Sequence, residues 1–271
     1  MTHDNRPIGL FDSGMGGLTV LRTLLSHLPD ESFVYLGDTA RLPYGSKSPQ
    51  TISRYLLQNI RFLQSQDVKA IVVACNTAST VLLNRSPELI IPDDVPLYNV
   101  IEPGARAALN ATVNKRIGVL ATRATIQAQS YPKTLSALDI NITVYSQASP
   151  LLVPLVEEGW EDDPLTNLIV YRYVQPLLAL NIDTLILGCT HYPALRGPIG
   201  RAAGPGVQLI DSAEAILNII TDDIATGKIK PGAKRQQLKL LATDTSPAFG
   251  DVASRLMRPH VIPKFELVDT I

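Results

Sequence analysis

The chain contains two cysteines, and each is followed by polar side chains that can take part in proton transfer. Cys75 stands in Ala-Cys-Asn-Thr at residues 74–77, and Cys189 stands in Gly-Cys-Thr-His at residues 188–191. A free buried cysteine is more often a small hydrophobic group than a reactive one, so either cysteine alone would be interpreted as core. Two cysteines in matching sequence contexts favour a chemical role over a purely structural one. His191 also lies within two residues of Cys189, where an imidazole can shift a thiol toward thiolate.

Paired thiols that face one cleft are suited to inverting a stereocentre. One group must remove a proton from a carbon while another returns a proton to the opposite face, so each thiol must be able to act as base in one direction and as acid in the other. A disulfide oxidoreductase would require a C-x-x-C motif, which the sequence lacks. A cysteine hydrolase would leave the second cysteine unexplained. Racemisation is therefore the favoured chemistry, with helix capping by Thr190 as the alternative for the second motif.

Two further segments at strand ends carry groups that suit an anionic ligand. Residues 12–17 read Asp-Ser-Gly-Met-Gly-Gly and precede a run with helical periodicity. A helix N-terminus favours a carboxylate or phosphate. The segment has neither the dinucleotide G-x-G-x-x-G spacing nor the P-loop ending, so neither NAD nor ATP is assigned. Residues 37–45, Gly-Asp-Thr-Ala-Arg-Leu-Pro-Tyr-Gly, would by themselves be interpreted as a surface loop.

Short apolar runs alternate with longer segments of helical periodicity along most of the chain. Residues 51–66 and 165–180 place apolar side chains three and four positions apart, as helices packed on a sheet do. The alternation predicts an α/β fold with parallel sheets covered by helices. The strand-like runs are residues 8–11, 33–36, 70–74, 96–100, 117–121, 142–145, 184–187, 207–210, 238–241 and 265–268.

An internal repeat predicts two similar α/β domains related by a pseudo-two-fold duplication. Residues 67–77 match residues 181–191 in residue class almost throughout, and residues 8–13 resemble residues 117–122. The first pair of segments is offset by 114 positions and the second by 109. Such a duplication would place each cysteine just after the carboxyl end of a buried strand, with the active site in the cleft between the domains. Chance similarity between strands is the alternative.

The composition excludes several classes of protein. The 271 residues include 24 Lys+Arg and 25 Asp+Glu, a net charge of −1, with no basic cluster for nucleic acid or an anionic membrane surface. No apolar run approaches the roughly 18 residues of a membrane span, and residues 1–7 lack the pattern of a secretory signal. Two cysteines cannot form a disulfide scaffold. We therefore expect a soluble, cytoplasmic protein that binds neither nucleic acid nor a membrane.

These segments together resemble the glutamate-specific members of the cofactor-independent aspartate/glutamate racemase superfamily, and the resemblance covers nearly the whole chain. His191 favours glutamate over the alternative, aspartate, because the aspartate enzymes tend to carry an acidic residue at that position. Ser149 and Met15 stand where members often have Cys and Val, and neither is one of the paired cysteines. The segments that carry the resemblance are residues 12–17, 37–41, 43–45, 74–77, 154–159 (Pro-Leu-Val-Glu-Glu-Gly) and 188–193.

The resemblance implies two-base exchange at the α-carbon of free glutamate, supplying D-glutamate for peptidoglycan synthesis. It implies no pyridoxal phosphate, metal or nucleotide cofactor. Cys189, assisted by His191, would remove the proton from L-glutamate, and Cys75, tuned by Asp12, would act on D-glutamate. The residues implied to hold the substrate are Asp12, Ser13, Pro43, Tyr44, Gly45, Cys75, Asn76, Thr77, Thr122, Thr125, Cys189, Thr190 and His191.

The resemblance also implies supporting residues, domain boundaries and a partner. Asp38 and Glu157 match family positions near the site. The C-terminal segment would return to the first domain, which would then comprise residues 1–98 and 210–271, with residues 99–209 as the second domain. A homodimer is implied. A binding protein that has lost turnover is the alternative from another class, and inhibition of DNA gyrase, which some members show, is left open.

Overall fold

Two parallel β-sheets form the framework of the protein. The computed structural model describes residues 2–84, 95–233 and 237–270. Every strand pairing within this described part is parallel, which confirms the predicted α/β class with two parallel-sheet domains. The strands are β1 (Ile8–Asp12), β2 (Phe33–Gly37), β3 (Ala70–Val73), β4 (Leu97–Asn99), β5 (Arg116–Ala121), β6 (Thr143–Ala148), β7 (Thr184–Gly188), β8 (Gln208–Asp211), β9 (Leu238–Ala242) and β10 (Glu266–Leu267).

The two sheets share one strand order, which is what a duplication requires. In the first sheet β1 lies between β2 and β3, and β4 lies beyond β3. In the second sheet β5 lies between β6 and β7, and β8 lies beyond β7. The sequence repeat thus pairs β1 with β5 and β3 with β7. The strands β9 and β10 extend the first sheet beyond β2, so the C-terminal part of the chain returns to that sheet.

Helices cover both sheets, and several begin at side chains that cap them. Ser48 accepts a hydrogen bond from the Thr51 backbone N–H and Asp163 one from Leu165, each just before a proline that opens a helix. The two helices predicted from periodicity therefore begin slightly earlier than expected. The helices are α1 (Leu18–His27), α2 (Pro49–Ser65), α3 (Asn76–Leu83), α4 (Ile101–Ala111), α5 (Arg123–Ala128), α6 (Ser130–Leu138), α7 (Leu152–Glu157), α8 (Pro164–Leu178), α9 (Arg196–Ala203), α10 (Ser212–Ala225) and α11 (Pro247–Leu256).

A continuous apolar core joins the two sheets. The strands β1, β2, β3 and β7 are buried along their whole length because helices cover both of their faces. One cluster of buried side chains contains Leu24 from α1, Leu187 from β7 and Ile216 from α10. Each fully buried side chain of this kind contributes about 1.5–3 kcal/mol, so this shared cluster contributes to the stability of the fold. Among the described residues, no helix is long and apolar enough to cross a bilayer.

Candidate active site

A cavity of about 400 Å³ lies where the carboxyl ends of the two sheets meet, and both cysteines line it. Loops that follow β1, β3, β5 and β7 contribute to its wall. Ligands of open α/β sheets bind at this edge. The residues predicted from the sequence that line the cavity are Ser13, Pro43, Tyr44, Gly45, Cys75, Asn76, Thr77, Thr122, Glu157, Cys189, Thr190 and His191.

Three of the predicted residues, Asp12, Asp38 and Thr125, lie behind this wall and are almost fully buried. Asp12 accepts hydrogen bonds from the Gly14 backbone N–H at 3.0 Å and from the Thr190 hydroxyl at 3.3 Å. Burial raises the pKa of the Asp12 carboxyl, although these donors and the nearby imidazole of His191 act in the other direction. Asp12 therefore shapes the site through the two loops that it joins.

Cys75 caps the N-terminus of α3. Its sulfur accepts from the Ala78 backbone N–H at 3.5 Å and donates to the Ser13 hydroxyl oxygen at 3.6 Å. Burial raises the pKa of the Cys75 thiol to about 12, and the negative charge of Asp12 acts in the same direction. At neutral pH Cys75 accordingly carries its proton and can donate it.

Cys189 lies beside an imidazole that is held by a carboxylate. The Cys189 sulfur is 3.9 Å from His191 Nδ1, and His191 Nε2 is 3.2 Å from Glu157 Oε1. Burial alone would lower the pKa of His191, but its contacts with Cys189 and Glu157 outweigh burial and raise that pKa to about 10. The imidazole is therefore positively charged at neutral pH, and a positive charge at this distance stabilises negative charge on the sulfur.

Each cysteine loop contacts the first loop of the opposite half. After Cys75, the Thr77 hydroxyl lies 3.0 Å from that of Thr122 and 3.2 Å from that of Thr125, both of which follow β5. After Cys189, Thr190 donates to Asp12 at the end of β1. These contacts repeat the pseudo-two-fold relation of the sheets at the level of side chains.

Asp38 holds the cavity loop that contains Tyr44. Its carboxylate accepts from the Tyr44 hydroxyl and from Arg41 Nε at 2.8 Å and Asn59 Nδ2 at 3.2 Å. The Arg41 guanidinium also donates to Asn59 and Thr270, so its donors are engaged within the protein. Asp38 thus fixes the wall of the cavity without lining it.

Arg123 is a cavity residue that the sequence analysis did not single out. It opens α5, is exposed to solvent, and is the only arginine or lysine among the described residues that line the cavity. Its position directly after Thr122, the last residue of the segment that resembles residues 8–13, was the available signal. No group of three His, Cys, Asp or Glu side chains suited to a metal ion occurs within residues 2–84, 95–233 and 237–270. Other lining residues not predicted are Gly14, Leu42, Ser46, Pro150, Val153 and Pro154.

Comparison with known proteins agrees with this architecture. The family model described as Asp/Glu/Hydantoin racemase matches residues 16–220, and the chain belongs to that family. Within the family it is similar to glutamate racemases, which confirms the resemblance seen in the sequence. The glutamate racemase of Geobacter metallireducens is 41% identical over 253 residues, which cover 93% of this chain and 93% of that protein.

Solved structures of glutamate racemases share the whole fold. The structure of a glutamate racemase isoform from Bacillus anthracis superposes with a TM-score of 0.91 at 36% identity, covering 98% of each chain. That of the Francisella tularensis enzyme, solved in complex with D-glutamate, superposes with a TM-score of 0.89 at 35% identity, again over 98% of each chain. The alignment over nearly the full length includes both sheets and the cavity between them.

Proposed function

We propose that this protein interconverts L-glutamate and D-glutamate by two-base proton exchange at the α-carbon and supplies D-glutamate for peptidoglycan synthesis. The observation that carries the proposal is the presence of Cys75 and Cys189 in one cavity, at the ends of corresponding strands of two similarly ordered sheets. The choice of glutamate is supported by the relatives described above, including the one solved with D-glutamate.

In the direction from L- to D-glutamate, Cys189 acts as the base. Its thiolate, stabilised by the charged ring of His191, takes the α-proton, so an S–H bond forms as the C–H bond breaks and the electron pair stays on carbon. The Cys75 thiol then gives its proton to the opposite face. The reaction leaves Cys189 as thiol and Cys75 as thiolate, which are the states needed for the reverse direction.

The difference in charge between the cysteine environments supports these assignments. The pKa of Cys75 is raised to about 12 by burial, which keeps this residue an acid at rest. The imidazole beside Cys189 has a raised pKa because of Cys189 and Glu157, despite burial. We assign Glu157 the role of holding His191, Asp38 the role of holding the Tyr44 loop, and Asp12 the role of tuning Cys75.

The α-hydrogen of an amino acid is much less acidic than a thiol, so the site must stabilise charge that develops during the reaction. The hydroxyls of Ser13, Thr77 and Thr122 are donors fixed in the cavity wall. In other enzymes the loss of one such oriented donor costs about 3–4 kcal/mol of barrier. The remaining predicted substrate contacts that line the cavity, from Pro43, Gly45, Asn76 and Thr190, are part of this proposal.

Closure of two domains over the substrate would exclude water from the cavity. We place the boundaries so that residues 1–98 and 210–271 form one domain and residues 99–209 the other, in keeping with the sheet to which most strands belong. Small-angle scattering with and without saturating glutamate tests this proposal, and an unchanged profile would count against closure.

The deciding experiment uses purified, fully reduced protein in heavy water without added cofactor. L-glutamate and L-aspartate are supplied separately, and optical rotation and α-deuterium uptake are followed. Loss of rotation with deuterium entering glutamate alone is expected. Reaction of aspartate instead would keep the two-thiol chemistry and overturn the substrate. Reaction of neither would favour a binding protein without turnover.

We further propose a cytoplasmic homodimer. The two cysteines are free thiols, which suits a reducing compartment, and the apolar side chains of Leu168 and Tyr171 on α8 are 67% and 56% exposed, as at a contact surface. Sedimentation velocity over a range of concentrations tests the dimer.

Inhibition of DNA gyrase is a separate hypothesis that a supercoiling assay with the purified protein decides.

A further inference from the structure

The side-chain amide of Asn76 has one bonded end and one free end. Asn76 is 2% exposed and lines the cavity, next to Cys75. Its Oδ1 accepts a hydrogen bond from the Tyr131 hydroxyl at 2.8 Å. Its Nδ2 is buried and has no hydrogen-bond partner among the described residues. A buried donor without a partner costs about 1–3 kcal/mol, so this nitrogen is a donor held ready for a ligand.

Tyr131 touches the loops of both cysteines. It lies on α6 in the second half of the chain and is 1% exposed, whereas Asn76 belongs to the first half. A Cβ atom added at Gly188 would lie 3.2 Å from Tyr131 Cε2, so the ring packs on the backbone directly before Cys189. The ring thus packs on the segment that carries Cys189, while its hydroxyl donates a hydrogen bond to Asn76, next to Cys75.

The hydroxyl of Tyr131 is a permanent donor. Burial raises the pKa of Tyr131, so the phenol keeps its proton at neutral pH. Because that proton is directed at Asn76 Oδ1, the amide is oriented with its nitrogen away from Tyr131. An amide nitrogen donates only, and of the charged groups on an amino acid a carboxylate accepts whereas an ammonium group does not.

We propose that Tyr131 is a positioning residue, whose hydroxyl orients the Asn76 amide so that Nδ2 donates to a carboxylate of the bound amino acid. This inference rests on the proposed function, because it takes glutamate as the occupant of the cavity. Tyr131 itself does not touch the substrate. Its effect on the reaction passes through Asn76.

The test compares Tyr131→Phe, Asn76→Ala and the double variant in the racemase assay. Tyr131→Phe removes the hydroxyl and keeps the ring on Gly188. We expect KM for glutamate to rise roughly five- to ten-fold, as for loss of one hydrogen bond, with a smaller change in kcat. The double variant should be no worse than Asn76→Ala alone, since Tyr131 acts through that residue.

Tyr98→Phe is the matched control. The Tyr98 hydroxyl is bonded to Asp223, away from the cavity, so this variant also loses a buried phenol hydrogen bond but should keep the wild-type KM. Thermal melting of all variants reports the stability cost separately. A wild-type KM in Tyr131→Phe, or additive effects in the double variant, would overturn the inference.

Two further measurements keep the inference separate from the proposed function. If wild-type protein does not racemise glutamate, the proposed function fails, and calorimetric binding of D-glutamate to wild-type and Tyr131→Phe protein still tests the inference. If Tyr131→Phe does not fold, the side-chain ¹⁵N resonance of Asn76 in wild-type protein is followed instead. A shift on addition of glutamate supports the inference, and an unchanged resonance at saturation overturns it.

Discussion

Nε2 of His191 lies 3.2 Å from Oε1 of Glu157, while Nδ1 of the same ring faces the Cys189 sulfur. Both neighbours favour the charged imidazole. At the corresponding place in the other half stands Thr77, whose side-chain hydroxyl lies 3.0 Å from that of Thr122 and 3.2 Å from that of Thr125. Two loops with the same backbone topology therefore differ in charge. In the proposed mechanism, this difference lets Cys189 start as the base and Cys75 as the acid.

Glu157→Gln should move the alkaline limb of the pH profile to lower pH. The wild-type pKa of His191 is about 10 because contacts with Cys189 and Glu157 outweigh burial, and removing the carboxylate charge lowers that pKa. In the proposed mechanism, racemisation from L-glutamate depends on the charged imidazole of His191, so it should decline as pH rises through the His191 pKa. The measurement is kcat/KM for L-glutamate from roughly pH 7.5 to roughly pH 11.5, a range of about four pH units that contains the wild-type limb.

Glu158→Gln provides the control for that profile. Glu158 is the next residue, is exposed, and does not line the cavity. The alkaline limb of the pH profile of the Glu158→Gln variant should coincide with that of wild-type protein. An alkaline limb in Glu157→Gln that stays in place, or moves to higher pH, would show that Glu157 does not set the charge of His191.

Replacement of either cysteine by alanine should abolish racemisation in both directions, with at least a roughly 100-fold loss of kcat. In heavy water, Cys75→Ala should still exchange the α-proton of L-glutamate, because Cys189 remains as base, and Cys189→Ala should still exchange that of D-glutamate. Proton NMR of each enantiomer measures the exchange. Undiminished turnover in either variant would refute the two-base scheme.

Gly16→Ala should impair catalysis by separating the halves locally. A Cβ atom at Gly16 would overlap the Thr190 hydroxyl and the His191 ring. Displacement of a catalytic loop by about 1 Å can cost roughly 100-fold in rate, so we expect kcat/KM to fall by about that factor. Gly250→Ala on α11 is the control, since nothing lies within 4 Å of a Cβ added there. Equal activity of the two variants would argue against close contact between the loops.

Arg123→Ala should raise KM for glutamate by about two- to five-fold, the scale of an exposed charge interaction. The substrate carries a net negative charge, and Arg123 is the one arginine or lysine among the described residues that line the cavity. The effect of salt on KM should weaken in the variant, because added ions screen the attraction in wild-type protein. Arg172→Ala, an exposed arginine on α8 outside the cavity, should leave KM and its salt dependence unchanged.

Local patterns were sufficient to predict the elements of this fold. Short apolar runs predicted the strands, and the internal repeat predicted that Cys75 and Cys189 follow the carboxyl ends of corresponding strands. The predicted helices over residues 51–66 and 165–180 differ from α2 and α8 only at their ends, where the side chains of Ser48 and Asp163 cap the first turn. Side-chain caps act over a few residues, so a periodicity argument does not locate them.

The site was predicted less completely than the fold. Asp12 and Thr125 were expected to hold the substrate, and the structure places both behind the cavity wall, where they join loops from opposite halves. Arg123 and Tyr131 carried no signal of their own, since an exposed arginine and an aromatic residue in a helix are ordinary surface and core. Their positions depend on contacts between residues far apart in the chain.

By itself, the sequence determined the class of fold, the duplication and the presence of two thiols at strand ends, because these depend on local periodicity and on residue types. Only the tertiary structure decided which of those groups face one cavity and how their charges differ. Cys75 lies near the Asp12 carboxylate and the Ser13 hydroxyl. Cys189 contacts His191, whose other ring nitrogen contacts Glu157. Burial and distances of 3–4 Å set these pKa shifts, and both arise only when the two sheets pack against each other.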